Sequence, residues 1–184
     1  MKVLAPEDKE AFNDLICQET EHIKNGGVQG NYCESFIKHM FFYVISARDR
    51  VGFIGYICVT PHDNGEYEIG IYLSPEYRGQ GIAVEFLPKA MEHYSEIHDV
   101  PYFIYRTKAY NIASQKVAKA LGAIKLEDEG DLFRDRLIVF SETLNEEIRD
   151  EFRKEFLKHY DEDYDPEKEN VIKYRIDISP RKSL

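Results

Sequence analysis

The feature that most constrains the fold is a strand that leads through a glycine-rich turn into an amphipathic helix. Residues 66–73 alternate between apolar side chains and a second set that includes two glutamates, which predicts a strand with carboxylates on one face. Gly79 and Gly81 follow in a turn, and apolar residues then recur at helical spacing. Because successive backbone N–H groups converge where a helix starts, this turn predicts a binding site for an anion.

The rest of the sequence also alternates between strand and helix patterns. We expect further strands at residues 1–4, at two runs within 41–59, and at 101–108, 123–126, 132–140 and 171–178. We expect further helices from residue 6 onward and at 34–40, 111–121 and 144–160. Strands and helices that follow one another in this way predict an α/β fold.

Length and charge favour one acidic domain. The 184 residues suit a single domain over residues 1–184. The formal net charge is −10, and residues 142–169 hold twelve acidic and five basic side chains. We therefore expect an added acidic helical segment at about 141–170, before the last strand. The sequence leaves open whether this segment covers the core or meets a second copy of the chain in a homodimer.

Charge, hydropathy and ligand spacing argue against several classes of function. An acidic chain disfavours nucleic acid, which needs clustered cations. No apolar run approaches the ~18 residues that cross a bilayer, and the N-terminus lacks the apolar core of a signal peptide. We therefore expect a cytoplasmic protein without a membrane partner. The cysteines form no CxxC pair, and the acidic run at 161–165 lacks the glycine and glutamate of a calcium loop, so we expect no metal.

Two motifs carry a family resemblance. The pattern Arg78-x-x-Gly81-x-Ala83 resembles the acetyl-CoA signature of the GNAT superfamily of N-acetyltransferases. Asn111-x-x-Ser114 resembles the second cofactor motif of that superfamily, and its serine is similar to the branch of ribosomal-protein N-terminal acetyltransferases. The resemblance runs over about residues 41–126. It implies a mixed, strongly twisted central sheet with a splayed strand pair and flanking helices.

The resemblance also implies a cosubstrate, acetyl-CoA, and the place where it binds. The pyrophosphate would rest on backbone N–H groups of the glycine-rich turn, and the pantetheine arm would lie along the end of the preceding strand. Asn111 would contact the cofactor from the next helix start, although a helix cap alone also explains this residue. The implied cofactor-binding residues are Ile71, Tyr72, Leu73, Arg78, Gly79, Gln80, Gly81, Ile82, Ala83, Asn111 and Ser114.

Acetyl transfer to an amine needs a group that accepts a proton and a group that stabilises the departing thiolate. Glu68, or alternatively Glu66, is a candidate for accepting the proton, unless these side chains simply face solvent. The resemblance implies that Ser114 hydrogen-bonds the sulfur. Many family members place a tyrosine where this chain has Ala118, and Tyr110 is an alternative donor.

The leading hypothesis is an N-acetyltransferase that moves an acetyl group from acetyl-CoA to a primary amine by direct attack. The acceptor would be a small-molecule amine or a protein N-terminus, and an acidic surface favours a cationic one. The alternative is a GNAT-like module that binds acyl-CoA as a sensor or interaction domain without turnover. Binding of a free nucleotide at the turn ranks below both.

Overall fold

A seven-stranded mixed sheet organises the computed structural model, which describes residues 1–8, 10–15, 41–46, 52–130 and 170–178. The strands are β1 (Lys2–Val3), β2 (Phe41–Ile45), β3 (Gly55–Pro61), β4 (Tyr67–Leu73), β5 (Tyr102–Lys108), β6 (Ile124–Asp128) and β7 (Val171–Asp177). The described helices are α1 (Ile82–His98), α2 (Ile112–Ala120) and a segment at 10–15, with 3-10 turns at Pro6–Asp8 and Pro75–Tyr77. None of them is long and apolar enough to cross a membrane.

These elements confirm the predicted α/β class. The helix predicted from residue 6 begins as a 3-10 turn and is α-helical over 10–15. β3 continues past the predicted end at Val59, because its antiparallel pairing with β4 reaches the pair Pro61 and Tyr67. The predicted elements at 34–40, 132–140 and 144–160, and all but the last residue of the added segment at 141–170, lie outside the described residues.

Helices cover apolar side chains on both faces of the sheet. On one face, which we call the α1 face, Ile69 of β4 packs in a buried cluster with Leu87 of α1. On the other, which we call the Phe12 face, Tyr72 of β4 packs in a cluster with Phe12 of the segment at 10–15. Full burial of one such side chain contributes about 1.5–3 kcal/mol. The predicted alternation of side chains between the two faces of β4 is confirmed. It determines which of them lie on the α1 face and which on the Phe12 face.

β4 and β5 pair in parallel, whereas the other described strand pairs of this sheet are antiparallel. These strands are in register at one position, where Glu68 pairs with Ile104. β3 and β4, by contrast, pair from Gly55 with Leu73 to the end of β3. Beyond Glu68 the two parallel strands separate, which confirms the predicted splayed pair. We call this gap the β4–β5 opening, with a closed end at Glu68 and an open end at Leu73.

The last described strand, β7, lies inside the sheet. The strand order is β1-β2-β3-β4-β5-β7-β6, so β7 separates β5 from β6. It pairs antiparallel with β5 along its whole length, from Tyr102 with Asp177 to Lys108 with Val171. This pairing sets Lys173 directly opposite Arg106, which lies on β5, the strand that borders the opening.

Candidate functional site

The turn between β4 and α1 leaves open space beside its backbone. Gly79 and Gly81 have φ angles of 74° and 80°, in the left-handed region that favours glycine. A Cβ atom added at either position would meet nothing within 4 Å. The two glycines therefore leave space beside the backbone that a side chain would occupy.

Unpaired backbone donors lie at the end of this turn. The first helical hydrogen bond of α1 joins the N–H of Glu85 to the carbonyl of Gly81, and no side chain caps the helix start. The N–H groups of Ile82, Ala83 and Val84 precede that bond, so they have no helical acceptor. Together with the helix dipole they make a site suited to a phosphate group.

The polar side chains of the turn hold its shape. Arg78 Nε donates to the carbonyl of Leu73 at 2.8 Å, and the guanidinium lies 5.7 Å from the ring centre of Tyr72. Gln80 Nε2 donates to the carbonyl of Glu76 at 2.8 Å. Arg78 thus folds back onto the end of β4 and Gln80 onto the 3-10 turn, and neither hydrogen bond uses the backbone N–H groups at the start of α1.

The end of β4 leads from this turn into the opening. Tyr72 is buried on the Phe12 face, where it stacks on Tyr56 with ring centres 5.6 Å apart. Ile71 and Leu73 are half-buried and pack against the cluster on the α1 face. The side chains of β4 thus anchor the strand on both faces, while its edge toward β5 lacks a strand partner beyond Glu68.

Asn111 caps α2, as predicted. Its Oδ1 accepts a hydrogen bond from the N–H of Ser114 at 3.0 Å. Within the described chain its Nδ2 group makes no hydrogen bond, so the amide can still donate to a ligand. Ser114 is held in the first turn of α2, and its Oγ lies 2.6 Å from the hydroxyl of Tyr105 on β5.

The cap made by Asn111 and its expected contact with the cofactor can be separated by substitution. We expect Asn111→Ala to lower the free energy of unfolding by about 1 kcal/mol, because the cap is lost, and Asn111→Ser to restore most of it. Serine supplies the cap but has no amide N–H group, so Asn111→Ser should still bind CoA more weakly than the wild type. Denaturant unfolding of the free protein and calorimetric titration with CoA measure the two effects. Wild-type CoA affinity in Asn111→Ser would leave Asn111 as a cap only.

Five charged side chains meet on the Phe12 face at the closed end of the opening. Arg106 Nη1 donates to Glu68 Oε2 at 2.8 Å, and Arg106 Nε donates to Glu129 Oε2 at 2.7 Å. Lys173 Nζ lies 3.0 Å from Glu66 Oε1, and Arg106 Nη2 lies 3.5 Å from Glu66 Oε2. We call these residues the Arg106 cluster. With three carboxylates and two cations it carries excess negative charge.

Ion pairing outweighs burial within this cluster. Burial alone would raise the pKa of Glu129, but hydrogen bonds and charges from Arg106 and Lys173 hold it below its usual value. Burial likewise opposes the charge of Arg106, yet Glu129 and Glu68 raise its pKa. Glu66 also has a lowered pKa, since Lys173 outweighs the effect of burial. Glu66 and Glu129 are therefore ionised at neutral pH, and so are Arg106 and Lys173.

Glu68 differs from the other carboxylates because its two oxygens have unequal surroundings. Oε2 accepts from Arg106 and also lies 3.0 Å from His62 Nε2. Within the described residues, no hydrogen bond reaches Oε1. The Glu68 side chain is 29% exposed, so a ligand can approach that oxygen. This arrangement fixes the carboxylate and leaves one oxygen for a proton donor.

Comparison with known families decides the family of the chain. A family model described as "Acetyltransferase (GNAT) domain" matches residues 4–124 of the chain. The chain belongs to the GNAT acetyltransferase family. The membership predicted from the two sequence motifs is confirmed. No curated protein matches the chain.

Solved structures share the GNAT fold at low sequence identity. The ribosomal-protein-S5-alanine acetyltransferase from Vibrio fischeri has a TM-score of 0.66 and 12% identity, covering 99% of this chain and 94% of its own. A spermidine N-acetyltransferase variant from Vibrio cholerae has a TM-score of 0.61 and 11% identity, covering 97% and 94%. A Bacillus subtilis acetyltransferase in complex with CoA has a TM-score of 0.57 and 14% identity, covering 82% and 85%. At these identities the likeness establishes the fold.

Sequence reasoning missed several residues of this candidate site. Arg106 and Lys173 lie on strands that the sequence predicted, but their contact depends on β7 lying beside β5. Tyr105 and His62 were also missed, although Arg106 among the apolar residues of β5 was a visible signal of a polar contact. Tyr110, an alternative donor in the sequence analysis, is 56% exposed.

Proposed function

We propose that the chain transfers an acetyl group from acetyl-CoA to a primary amine by direct attack. One observation supports this proposal above the others: the same opening has donor N–H groups beside its open end and Glu68 at its closed end. With about 3.3 Å per residue, Glu68 lies roughly 17 Å along β4 from Leu73. The site can therefore hold an extended, phosphate-bearing molecule between the two ends.

The turn fits the diphosphate of CoA because its glycines leave room and its backbone supplies donors. In this proposal, residues 78–83 hold the diphosphate, and residues 71–73 orient the pantetheine arm through the unpaired edge of β4. Asn111 and Ser114 contact the cosubstrate from the start of α2. When bound, acetyl-CoA supplies an activated acetyl group as a thioester.

Glu68 is the proposed base. An alkylammonium has a pKa near ~10.4, so at neutral pH the amine must lose a proton before its lone pair can attack. Glu68 Oε1 accepts that proton directly or through a water, while Arg106 holds Oε2 in place. Glu66 serves this purpose less well, because Lys173 and Arg106 approach its two oxygens.

The acceptor is proposed to be a cationic amine. The Arg106 cluster carries excess negative charge at the closed end of the opening, and a charge of this sign attracts ammonium groups. The neighbouring structures include enzymes named for spermidine and for a ribosomal protein, which are amine acceptors of two sizes. Both a small polyamine and a protein N-terminus are therefore included in the test.

The test follows thiol release with an amine panel. The protein is incubated with acetyl-CoA and with spermidine, an alanine-terminated peptide or no amine, and the free thiol is measured over time. We expect release that depends on the amine, with a mass increase of one acetyl group on the acceptor. CoA binding without release for every amine would favour the acyl-CoA sensor. ADP that binds as tightly as CoA would favour a nucleotide site.

A further inference from the structure

Two hydroxyl groups form a short hydrogen bond between β5 and α2. Tyr105 OH and Ser114 Oγ are 2.6 Å apart, and either atom can be the donor. Tyr105 is 4% exposed, so the phenol end of this hydrogen bond is shielded from solvent. Burial raises the pKa of Tyr105, although the bond to Ser114 opposes that rise. The phenol is therefore protonated at neutral pH.

The two hydroxyl groups of Tyr105 and Ser114 have one more hydrogen than the bond between them uses. Two hydroxyl groups bring two hydrogens, and a single bond between them engages one. A phenol is a stronger acid than an aliphatic alcohol, so Tyr105 donates and the Ser114 hydrogen remains. Within the described part of the chain that remaining hydrogen has no acceptor.

The position of the pair relates it to the opening. Tyr105 is the first residue of β5 after Ile104, where pairing with β4 stops. Its side chain packs on the α1 face, whereas the next residue, Arg106, reaches Glu68. On the α1 face, Thr107 is buried, and its Oγ1 has no hydrogen-bond partner among the described residues. The hydroxyl groups of Ser114 and Thr107 thus both have a hydrogen without an acceptor among the described residues. They lie on the face of the sheet opposite to the proposed base.

We propose that Tyr105 is a positioning residue that orients the Ser114 hydroxyl so that it donates a hydrogen bond to the departing sulfur of CoA. This inference rests on the proposed function. A chain of hydrogen bonds strengthens its members, because each donor polarises the next. Ala118 lies one turn after Ser114 and packs in the same buried cluster as Tyr105. Its small side chain leaves room for the phenol to come from β5.

The reaction balances when the Ser114 hydroxyl donates a hydrogen bond to sulfur and both it and the Tyr105 hydroxyl keep their protons. The amine nitrogen forms a bond to the acetyl carbon, the C–S bond breaks, and its electron pair stays on sulfur. The ammonium loses one proton to Glu68 before attack and a second to solvent after it. Sulfur takes one proton from solvent when the thiol forms, so one proton is released overall. A thiol has a pKa near ~8.5, below that of a phenol, so proton transfer from Tyr105 is unfavourable and hydrogen-bond donation to the thiolate is what the pair supplies.

The pKa of the bound CoA thiol tests this proposal directly. A hydrogen bond donated to the thiolate favours the charged form and lowers the thiol pKa. It is measured from thiolate absorbance in the CoA complex, after subtraction of the complex with desulfo-CoA. We expect the thiol pKa in Tyr105→Phe to lie about one unit above that in the wild-type complex. Turnover should fall about tenfold with an unchanged KM for acetyl-CoA.

Tyr174→Phe is the matched control. Tyr174 pairs with Tyr105 across β5 and β7 and packs against the same cluster, so this change also removes one phenol hydroxyl near the site. We expect the thiol pKa of the wild type in this variant. Ser114→Ala should raise the thiol pKa as Tyr105→Phe does. The double variant should show no further rise, because both changes remove the same donor.

The outcomes separate this inference from the proposed function. An unchanged thiol pKa in Tyr105→Phe, with CoA bound and amines still acetylated, would overturn the inference and leave the function intact. Additive rises in the double variant would also overturn it, since the two hydroxyls would then act independently. Failure of the wild-type protein to bind CoA would remove the proposed function itself.

Discussion

Gly81→Glu is expected to weaken CoA binding by at least 100-fold. The residue has a φ of 80° and open space where a Cβ would lie, so a longer side chain extends into the space where the diphosphate is proposed to bind. A carboxylate there also repels the diphosphate. Each hydrogen bond to a charged group is worth about 1.5–3 kcal/mol, and the loss of two accounts for a factor of this size. Calorimetric titration with CoA measures the change.

Gly122→Glu provides the control for backbone strain. Gly122 has a φ of 70° and the same open surroundings, but it follows the far end of α2. A non-glycine residue in the left-handed region costs about 1–2 kcal/mol, so both variants should lose similar stability in denaturant unfolding. Gly122→Glu should bind CoA as the wild type does. Equal CoA affinities in the two variants would contradict the proposal that CoA binds at the Gly79–Gly81 turn.

Glu68→Gln is expected to lower turnover about 100-fold at neutral pH. Glutamine keeps a carbonyl oxygen that can accept from Arg106, but it cannot take a proton from the amine. The KM for acetyl-CoA should not change, because Glu68 lies at the end of the opening away from the glycine turn. As pH rises toward the pKa of the amine, more acceptor is already neutral. The ratio of wild-type to variant rates should therefore shrink with increasing pH.

Glu129→Gln distinguishes loss of the base from disturbance of Arg106. Glu129 receives two hydrogen bonds from the guanidinium, at 2.7 and 3.1 Å, so its change affects Arg106 without touching Glu68. We expect Glu129→Gln to keep the pH profile of the wild type. A pH profile in Glu68→Gln that runs parallel to the wild-type profile would reduce Glu68 to a structural member of the Arg106 cluster.

Local patterns were sufficient to predict the elements that carry the glycine turn. Alternation in β4 and helical spacing in α1 follow from which side chains are buried, and burial is encoded residue by residue. The same holds for the cap at Asn111, because its partner is only three residues away. These parts of the site depend on neighbours in sequence, so one sequence is enough to predict them.

The charged part of the site could not be predicted, because its contacts join residues that are distant in sequence. Arg106 meets Glu129 and Glu68 across separations of 23 and 38 residues. Lys173 reaches the cluster only because β7 lies between β5 and β6, and no local pattern sets that strand order. Tyr105 was hidden for a similar reason: its partner Ser114 lies on the next helix, and a tyrosine in an apolar strand resembles any other core residue.

The position of β7 means that the central sheet cannot be completed until residues 171–177 have been synthesised. Residues 109–170 separate β5 from the strand that pairs with it along its full length. While β7 is still in the exit tunnel, β5 has an exposed edge and the carboxylates lack Lys173. Nascent chains at this stage are candidates for premature strand pairing with one another. The full set of contacts in the Arg106 cluster would then form only after β7 has emerged and paired with β5.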